Sequence, residues 1–169
     1  MVSAQGIDPQ EEKIKSIQDW PVPKCVRDVR AFFGLASYYR KFVKNFASIA
    51  EPLSALTQKG VRFSWSPEAQ QAFEHLKRAL AETVTVAYPQ PNQIFILDTD
   101  ASDVAVGAIL STMVDGVERP IAFFSRVMNS SQRNYCPTRR ELLAVIAGLQ
   151  HFRHYLVGPQ SFSAPTTTL

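Results

Sequence analysis

The spacing of apolar residues changes near residue 93, and this change constrains the fold more than any other feature of the chain. Before it, apolar residues recur every three or four positions, as on one face of a helix. After it come three apolar, β-branched or aromatic segments, residues 93–99, 106–114 and 117–124. Asp115 and Gly116 separate the last two segments, and this dipeptide between apolar runs predicts a hairpin. We therefore expect helices followed by a three-stranded antiparallel meander.

The first two predicted helices occupy the N-terminal third of the chain. Asp8, Pro9 and Glu11 form a capping-box start for a first helix that ends at Trp20. A second helix is predicted after Pro23 from an apolar series at helical spacing. The series is Val29, Phe32, Leu35, Ala36, Tyr39, Val43 and Phe46.

Basic and small residues share the opposite face of this second helix. They are Arg27, Arg30, Gly34, Ser37, Lys41 and Lys44. Cations at both ends and small side chains between them would let a nucleic-acid backbone approach closely, with affinity that is independent of base sequence and falls with salt. A solvated helix face explains the same residues equally well.

Two more helices carry clear start signals. Ser66 as N-cap and Pro67 in the first turn begin a third helix, with Ala69, Ala72, Phe73, Leu76 and Leu80 on one side. A final helix is expected to begin at Thr138, which forms a T-x-x-E capping box with Glu141. Its predicted apolar face consists of Leu142, Val145, Ile146, Leu149, Phe152 and Leu156.

Composition excludes several classes of protein. The 169 residues include 46% apolar and 20% charged residues, which is ordinary for a globular chain. No apolar run approaches the roughly 20 residues of a membrane span, so we expect a soluble intracellular protein, cytoplasmic or nuclear. Cys25 and Cys136 lack the spacing of a zinc site or a disulfide framework. The net charge is +3, and the excess of Lys and Arg lies in residues 1–60.

Several long motifs in one order resemble a known family. They are residues 20–56, 63–77, 97–111, 120–126 and 134–156, and the TDAS tetrapeptide ends the first predicted strand. Together they resemble the Pol polyprotein of gypsy-type LTR retrotransposons, from the end of the reverse transcriptase into its RNase H domain. The resemblance implies an α+β fold with a thumb-like helical segment at 1–60, a connection helix at 61–91 and an RNase H-like domain at 92–169.

The resemblance also implies a chemistry, the cleavage of RNA in an RNA/DNA hybrid by two Mg²⁺ or Mn²⁺ ions. The ions must lie about 4 Å apart, which requires several convergent carboxylates. Asp100 matches the strand ligand of the family and Glu141 the helix ligand. Asp98, which would share a strand face with Asp100, and Asp103, expected in a turn, are weaker candidates. The rival explanation for Glu141 is helix capping.

The resemblance ends near Phe162. The family continues there with a fourth strand reading L-R-T-D-H, whose Asp is a third ligand, and a further acidic ligand comes later, whereas residues 163–169 read SAPTTTL. Codons for the family variant LRTDHNSLK can be chosen so that reading one base later gives the same seven residues and a stop. We therefore interpret the ending as a shifted frame, with an exon boundary as the alternative.

Three functional hypotheses follow from these observations. The first is a reverse transcriptase and RNase H fragment whose hydrolysis is weak or absent, because only Asp100 and Glu141 of the family ligands remain. The second is a non-catalytic nucleic-acid-binding remnant that uses the basic helix at 27–44. The third is an inert truncated product. The sequence gives no indication of the oligomeric state.

Overall fold

A computed structural model describes residues 2–3, 6–7, 11–82, 86–89 and 93–157, and it describes side chains from residue 15 onward within these ranges. The helices are α1 (Glu11–Gln18), α2 (Val26–Tyr38), α3 (Phe46–Ala55), α4 (Pro67–Ala81), α5 (Ser130–Arg133), α6 (Pro137–His151) and α7 (Arg153–Leu156), with a 3-10 turn at Arg40–Phe42. The strands are β1 (Val2–Ser3), β2 (Gly6–Ile7), β3 (Phe95–Ala101), β4 (Ala105–Val114) and β5 (Val117–Val127). The α+β fold class predicted from the sequence is confirmed.

The elements with the clearest local sequence signals form as predicted. The hydroxyl oxygen of Ser66 accepts a hydrogen bond from the Ala69 amide at 3.2 Å, so Ser66 caps α4 as expected. Asp115 and Gly116 have φ angles of 53° and 75°, the left-handed pair that closes a tight hairpin. The predicted cap of the first helix lies partly outside the described residues. Within those residues, no helix is both long and apolar enough to cross a membrane.

The predicted basic helix at 27–44 is wrong in its extent, because α2 ends at Tyr38. The chain then makes a 3-10 turn, becomes extended at Val43 and takes a left-handed conformation at Asn45, where φ is 55°. The apolar series predicted burial correctly, since Tyr39, Val43 and Phe46 are buried. Helical spacing alone did not reveal the turn that brings them into the core.

Contacts with β5 accompany this break in the helix. The Arg40 guanidinium donates to the Ser125 carbonyl oxygen at 2.5 Å. The Ala47 amide donates to the Ser125 hydroxyl at 2.9 Å. Because these partners are about eighty positions away in sequence, no local pattern could predict where α2 ends.

The meander forms one antiparallel sheet in the order β3, β4, β5. Asp100 pairs with Gly107 and Asp98 with Ile109, so these four residues share one face. The pairing between β4 and β5 is irregular at Leu110 and Ser111. The helices α3 and α4 and the 3-10 turn cover the face that carries Ile109, and α6 packs against the opposite face.

The last long helix differs from its prediction in its cap. It begins at Pro137 with Cys136 as N-cap, and no side chain caps it. Thr138 therefore lies inside the first turn, and the predicted capping box with Glu141 is not formed. Proline at the first helical position already favours a helix start, because its φ angle suits a helix and the amide that it lacks would have no partner within the helix.

The predicted apolar face of this helix is wrong for most of its length, although Phe152 at its end is fully buried as predicted. Leu142, Ile146 and Leu149 are 58%, 44% and 38% exposed. The face that packs on the sheet carries small residues, with Ala144, Ala147 and Gly148 buried. The sheet selects the face that allows the closest approach of the two backbones, which is not the face with the largest apolar side chains.

The core formed by the helices extends into the sheet. It runs from Ile17 of α1 to Val86 and includes Phe123 of β5, with Ile109 of β4 packed against it. The division at 1–60, 61–91 and 92–169 stays a prediction, and across its last boundary the side chain of Phe123 is buried among residues of the helical segment.

Candidate functional site

Two carboxylates line a cleft between the sheet and the helical segment. Asp98 and Asp100 are exposed and lie on one face of β3, as the sequence predicted. The cleft has a volume of about 150 Å³, and Lys44 and Asn45 line its other side. We refer to it as the carboxylate cleft. The cleft combines the carboxylates of Asp98 and Asp100 with the amine of Lys44 and the amide of Asn45, which lie about fifty residues earlier in the chain.

Gly107 and Asn45 account for the closeness of the two walls. A Cβ atom on Gly107 would lie 3.0 Å from the Asn45 side-chain oxygen, which is closer than most carbon–oxygen contacts. Glycine therefore lets the turn after the 3-10 helix approach β4 directly opposite Asp100. The left-handed φ angle of Asn45 suits asparagine better than most other residues, so the sequence supports this turn at both positions.

Glu141 lies in the second turn of α6 and is exposed. It is not among the residues that line the carboxylate cleft. Thr99 faces α6, because its methyl carbon lies 3.7 Å from the place of a Cβ on Gly148. Strand alternation therefore directs Asp100 to the opposite face of β3. The structure brings Asp98 and Asp100 together in one cleft and leaves Glu141 outside it.

Arg140 attaches the start of α6 to the end of β3. Its guanidinium forms an ion pair with Asp103, in the turn that follows Asp100. The same group donates to the carbonyl oxygens of Tyr135 at 2.9 Å and Arg133 at 3.2 Å. Asp103 was expected in a turn, and this is its position. The residue beside Glu141 is thus held within reach of the loop beside Asp100.

The described residues do not by themselves make a complete two-metal centre. Within 15–82, 86–89 and 93–157, no three His, Cys, Asp or Glu side chains are close enough together to hold a metal ion. Two-metal hydrolysis requires several convergent carboxylates. The carboxylate cleft supplies oxygen donors of the kind that Mg²⁺ prefers, but with Lys44 beside them it fits only part of such a centre.

The predicted nucleic-acid-binding residues are all exposed, although they do not share one helix. Arg27, Arg30, Gly34 and Ser37 lie on α2, while Lys41 is in the 3-10 turn and Lys44 in the turn after it. Arg30 also donates to the Thr57 carbonyl oxygen at 3.1 Å. The break after Tyr38 divides the predicted stripe, and Lys44 faces the carboxylate cleft instead.

A second concavity beside β5 was missed by the sequence analysis. Two adjoining cavities of about 610 and 340 Å³ share Ser37, Arg40, Phe124 and His151 in their walls. We refer to them together as the β5 groove. Its walls come from α2, the 3-10 turn, α3, β5, the end of α6 and α7, six elements that no single motif connects.

Phe124 and His151 form the centre of the β5 groove. Their rings are stacked, with centroids 4.4 Å apart and planes inclined by 27°. Partial burial lowers the pKa of His151, and the nearby charges of Arg40 and His154 lower it further. The rings of His151 and His154 therefore pack against aromatic neighbours, Phe124 and Tyr155 respectively.

Comparison with known proteins identifies the fold and the family. Residues 65–164 match the RNase H-like domain found in reverse transcriptase. The Retrovirus-related Pol polyprotein from transposon 297 of Drosophila melanogaster is 39% identical over 95% of this chain and 15% of its own length. The Transposon Tf2-3 polyprotein of Schizosaccharomyces pombe is 37% identical over 92% of this chain and 12% of its own length.

Solved structures share the fold at lower identity. A foamy viral protease-reverse transcriptase dRH in complex with ds DNA has a TM-score of 0.79, with 22% identity over 90% of this chain and 27% of that chain. The foamy viral protease-reverse transcriptase in complex with RNA/DNA hybrid has a TM-score of 0.78, with 22% identity over 93% of this chain and 21% of that chain. The present chain spans only 12% to 15% of the length of the curated relatives named above. It belongs to the family of RNase H-like domains found in the reverse transcriptases of retrotransposon and retroviral Pol polyproteins.

Proposed function

We propose that this chain supplies the first carboxylates of an RNase H centre that hydrolyses RNA in RNA/DNA hybrids, and that by itself it hydrolyses them weakly or not at all. The single observation that carries the proposal is the exposed Asp100 on β3, in a cleft beside Asp98. The match to the family is the reason for proposing that Asp100 on this strand is a metal ligand. Glu141 is proposed as the second ligand from its match to the family. It lies outside the cleft, although the ion pair between Arg140 and Asp103 holds the start of its helix near the end of β3.

The metal would be Mg²⁺ or Mn²⁺, whose role in such centres is to activate a water molecule and stabilise the leaving oxygen. In this chain the residues proposed to hold it are Asp100 and Glu141. Lys44 would lower the affinity for a cation in the carboxylate cleft, because like charges repel at short distance. Weak metal affinity is therefore the expected property of this chain.

Calorimetric titration with MgCl₂ and MnCl₂ tests the metal part of the proposal. We expect weak binding that Asp100→Asn abolishes and Lys44→Gln strengthens. Asp115→Asn is the matched control, since Asp115 is an exposed hairpin residue with a left-handed φ angle that asparagine also tolerates. Equal loss of binding in Asp100→Asn and Asp115→Asn would exclude Asp100 as a ligand.

Hydrolysis is measured separately with a labelled RNA/DNA hybrid and Mg²⁺. Little or no cleavage is expected for the purified chain. Rapid cleavage that Asp100→Asn abolishes would overturn the proposed weakness and support the proposed ligand. Rapid cleavage that survives Asp100→Asn would contradict both.

A second candidate function is sequence-independent binding of nucleic acid. It is favoured by the exposure of all six residues from Arg27 to Lys44 named above. The double variant Arg27→Gln/Lys44→Gln should weaken binding of a labelled hybrid and reduce the salt slope by about one for each phosphate that is no longer neutralised. Lys59→Gln/Arg62→Gln removes two exposed charges elsewhere and should have little effect. An equal loss in both double variants would mean that net charge alone drives binding.

A further inference from the structure

We propose that the β5 groove binds single-stranded nucleic acid, at a site separate from the carboxylate cleft. The inference rests on the nucleic-acid binding proposed above and assigns it a location and a ligand. Three properties of the groove support it, namely its charge, its aromatic walls and its shape.

The charge of the groove suits a polyanion. Arg40, Lys41 and Arg126 line it together with His151 and His154. No carboxylate is among the described residues that line either cavity. The carboxylate cleft, by contrast, has two carboxylates and one lysine. Phosphate groups would therefore be attracted to the β5 groove and repelled from the cleft that holds Asp98 and Asp100.

The cationic side chains keep donors available for a ligand. Arg40 uses one guanidinium nitrogen on the Ser125 carbonyl oxygen, and Arg126 uses one on the Gln132 side chain at 3.2 Å. A guanidinium has five N–H donors in a fixed plane. These two hydrogen bonds hold the groups in position and leave further N–H groups for phosphate oxygens.

Aromatic rings alternate with these cations along the groove. Tyr38, which is 68% exposed, lines the smaller cavity together with His154 and Tyr155, whose ring centroids lie 4.1 Å apart. The stacked Phe124 and His151 pair lines both cavities. Basic residues interleaved with exposed rings are typical of surfaces on which unpaired bases stack.

Shape distinguishes a single strand from a duplex. The rings lie in the walls of a concavity formed by several elements, so a base must leave its own stack to reach them. In a duplex the base faces are covered by neighbouring base pairs, whereas a single strand can turn its bases outward. The β5 groove should therefore prefer single strands, while the basic residues on α2 contact phosphates of either form.

Fluorescence anisotropy with a labelled short oligothymidylate tests the proposal. The wild-type chain should bind it more tightly than a blunt duplex of equal length. Tyr38→Ala should weaken this binding by roughly five-fold or more, the loss of one base stack. Tyr38→Phe, which keeps the ring, should bind nearly as well as the wild type. His154→Gln should also weaken binding, whereas His75→Gln, an exposed histidine on α4 outside the groove, should not.

Several outcomes would overturn the assignment. Unchanged affinity in Tyr38→Ala and His154→Gln would exclude the groove, as would an equal loss in His154→Gln and His75→Gln. Displacement of the oligothymidylate by polyglutamate as readily as by unlabelled oligothymidylate would indicate an acidic peptide site instead. Asp100→Asn should leave oligothymidylate binding intact, so a failure of the proposed RNase H centre is distinguishable from a failure of the groove.

Discussion

The two faces of the sheet are covered in different ways. The face that carries Ile109 and Phe123 meets a core of large, fully buried aromatic and aliphatic side chains from the helical segment. The opposite face meets α6 and the short helix α7, with buried contacts from Ala144, Ala147 and Gly148 of α6 and from Phe152 after it. The first face is stabilised mainly by apolar volume removed from water, whereas along α6 the second depends on close approach of two backbones.

The difference explains why the two helical layers expose different amounts of apolar surface. Within their described residues, α2, α3 and α4 expose one large apolar side chain, Tyr38, whereas α6 exposes Leu142, Ile146 and Leu149 on its outer side. Val22 and Val61, which are also exposed, lie between helices. Large side chains on the sheet-facing side of α6 would have prevented the close contact that the small residues allow. A helix can therefore place its smallest residues inward and its leucines outward when the approach distance decides the packing.

Substitutions of Phe123 and Phe124 test this difference between the two faces most directly. The two residues are neighbours on β5 with side chains on opposite faces, and Phe123 is 7% exposed within the helical core. Phe123→Ala should cost about 3–5 kcal/mol of unfolding free energy, because a large buried ring is lost and its cavity cannot refill. Phe124→Ala should cost less, because the Phe124 ring is only partly buried. Urea denaturation of both variants measures the difference.

The ratio of these two losses matters more than either value. A larger loss for Phe124→Ala than for Phe123→Ala would reverse the comparison, since it would make the α6 side the better packed of the two. Circular dichroism of the folded variants should confirm that neither substitution changes the secondary structure. The slope of free energy against urea should stay constant if both variants unfold in the same manner.

Gly148 tests the close approach on the second face. A Cβ atom added there would lie 2.9 Å from the Cβ of Ala108 and 3.6 Å from a methyl carbon of Leu97. We expect Gly148→Ala to destabilise the protein by about 1–2 kcal/mol, because overpacking outweighs the gain in helix propensity. Gly34→Ala is the matched control on α2, since no atom lies within 4 Å of its added Cβ. That variant should stabilise the protein by about 0.5–1 kcal/mol.

A double-mutant cycle with Ala108→Gly sharpens this test. If the clash with Ala108 causes the loss, the double variant Gly148→Ala/Ala108→Gly should be more stable than the sum of the single effects predicts. Additive effects would mean that α6 tolerates the methyl group by moving away from the sheet. Gly34→Ala also bears on the basic residues of α2, because a loss of hybrid binding in this stable variant would support close approach of a backbone there.

The parts of the fold that the sequence predicted depend on local interactions. Ser66 with Pro67 and Asp115 with Gly116 each determine their own backbone through neighbours within a few residues. The end of α2 was missed because it depends on Arg40 and Ser125, which are far apart in the sequence. The buried face of α6 was missed because the partner surface, and not the helix itself, selects which side is covered.

The candidate site was predictable to a similar degree. The shared strand face of Asp98 and Asp100 follows from alternation in β3, so motif and periodicity were sufficient. The participation of Lys44 and Asn45 in the same cleft was not predictable. It depends on a turn in a region where the apolar spacing predicted a helix. The β5 groove was missed for a related reason, since six separate elements contribute to its walls.

The smallest expected effect concerns His151, whose protonation changes the stability of the packing between α6 and β5. Its pKa is lowered by partial burial first and then by the charges of Arg40 and His154. The folded state therefore binds the proton less tightly than the unfolded state, whose histidine titrates near 6.5. The contribution of neutral His151 to the unfolding free energy is fully present above the pKa of the unfolded histidine. It is lost as the pH falls through the lower pKa of the folded state. The loss should be small, because the ring is exposed on one side.

Urea denaturation between about pH 8 and about pH 5 measures this effect, a window in which histidine titrates and most carboxylates do not. We expect His151→Gln to remove part of the pH dependence and His75→Gln to retain it. Bound oligothymidylate should raise the pKa of His151, because a phosphate chain in the β5 groove favours the protonated ring. The oligothymidylate should therefore bind more tightly as the pH falls. If the ligand leaves the pH dependence of stability unchanged, the phosphate chain does not contact His151, which counts against the β5 groove because His151 lines both of its cavities.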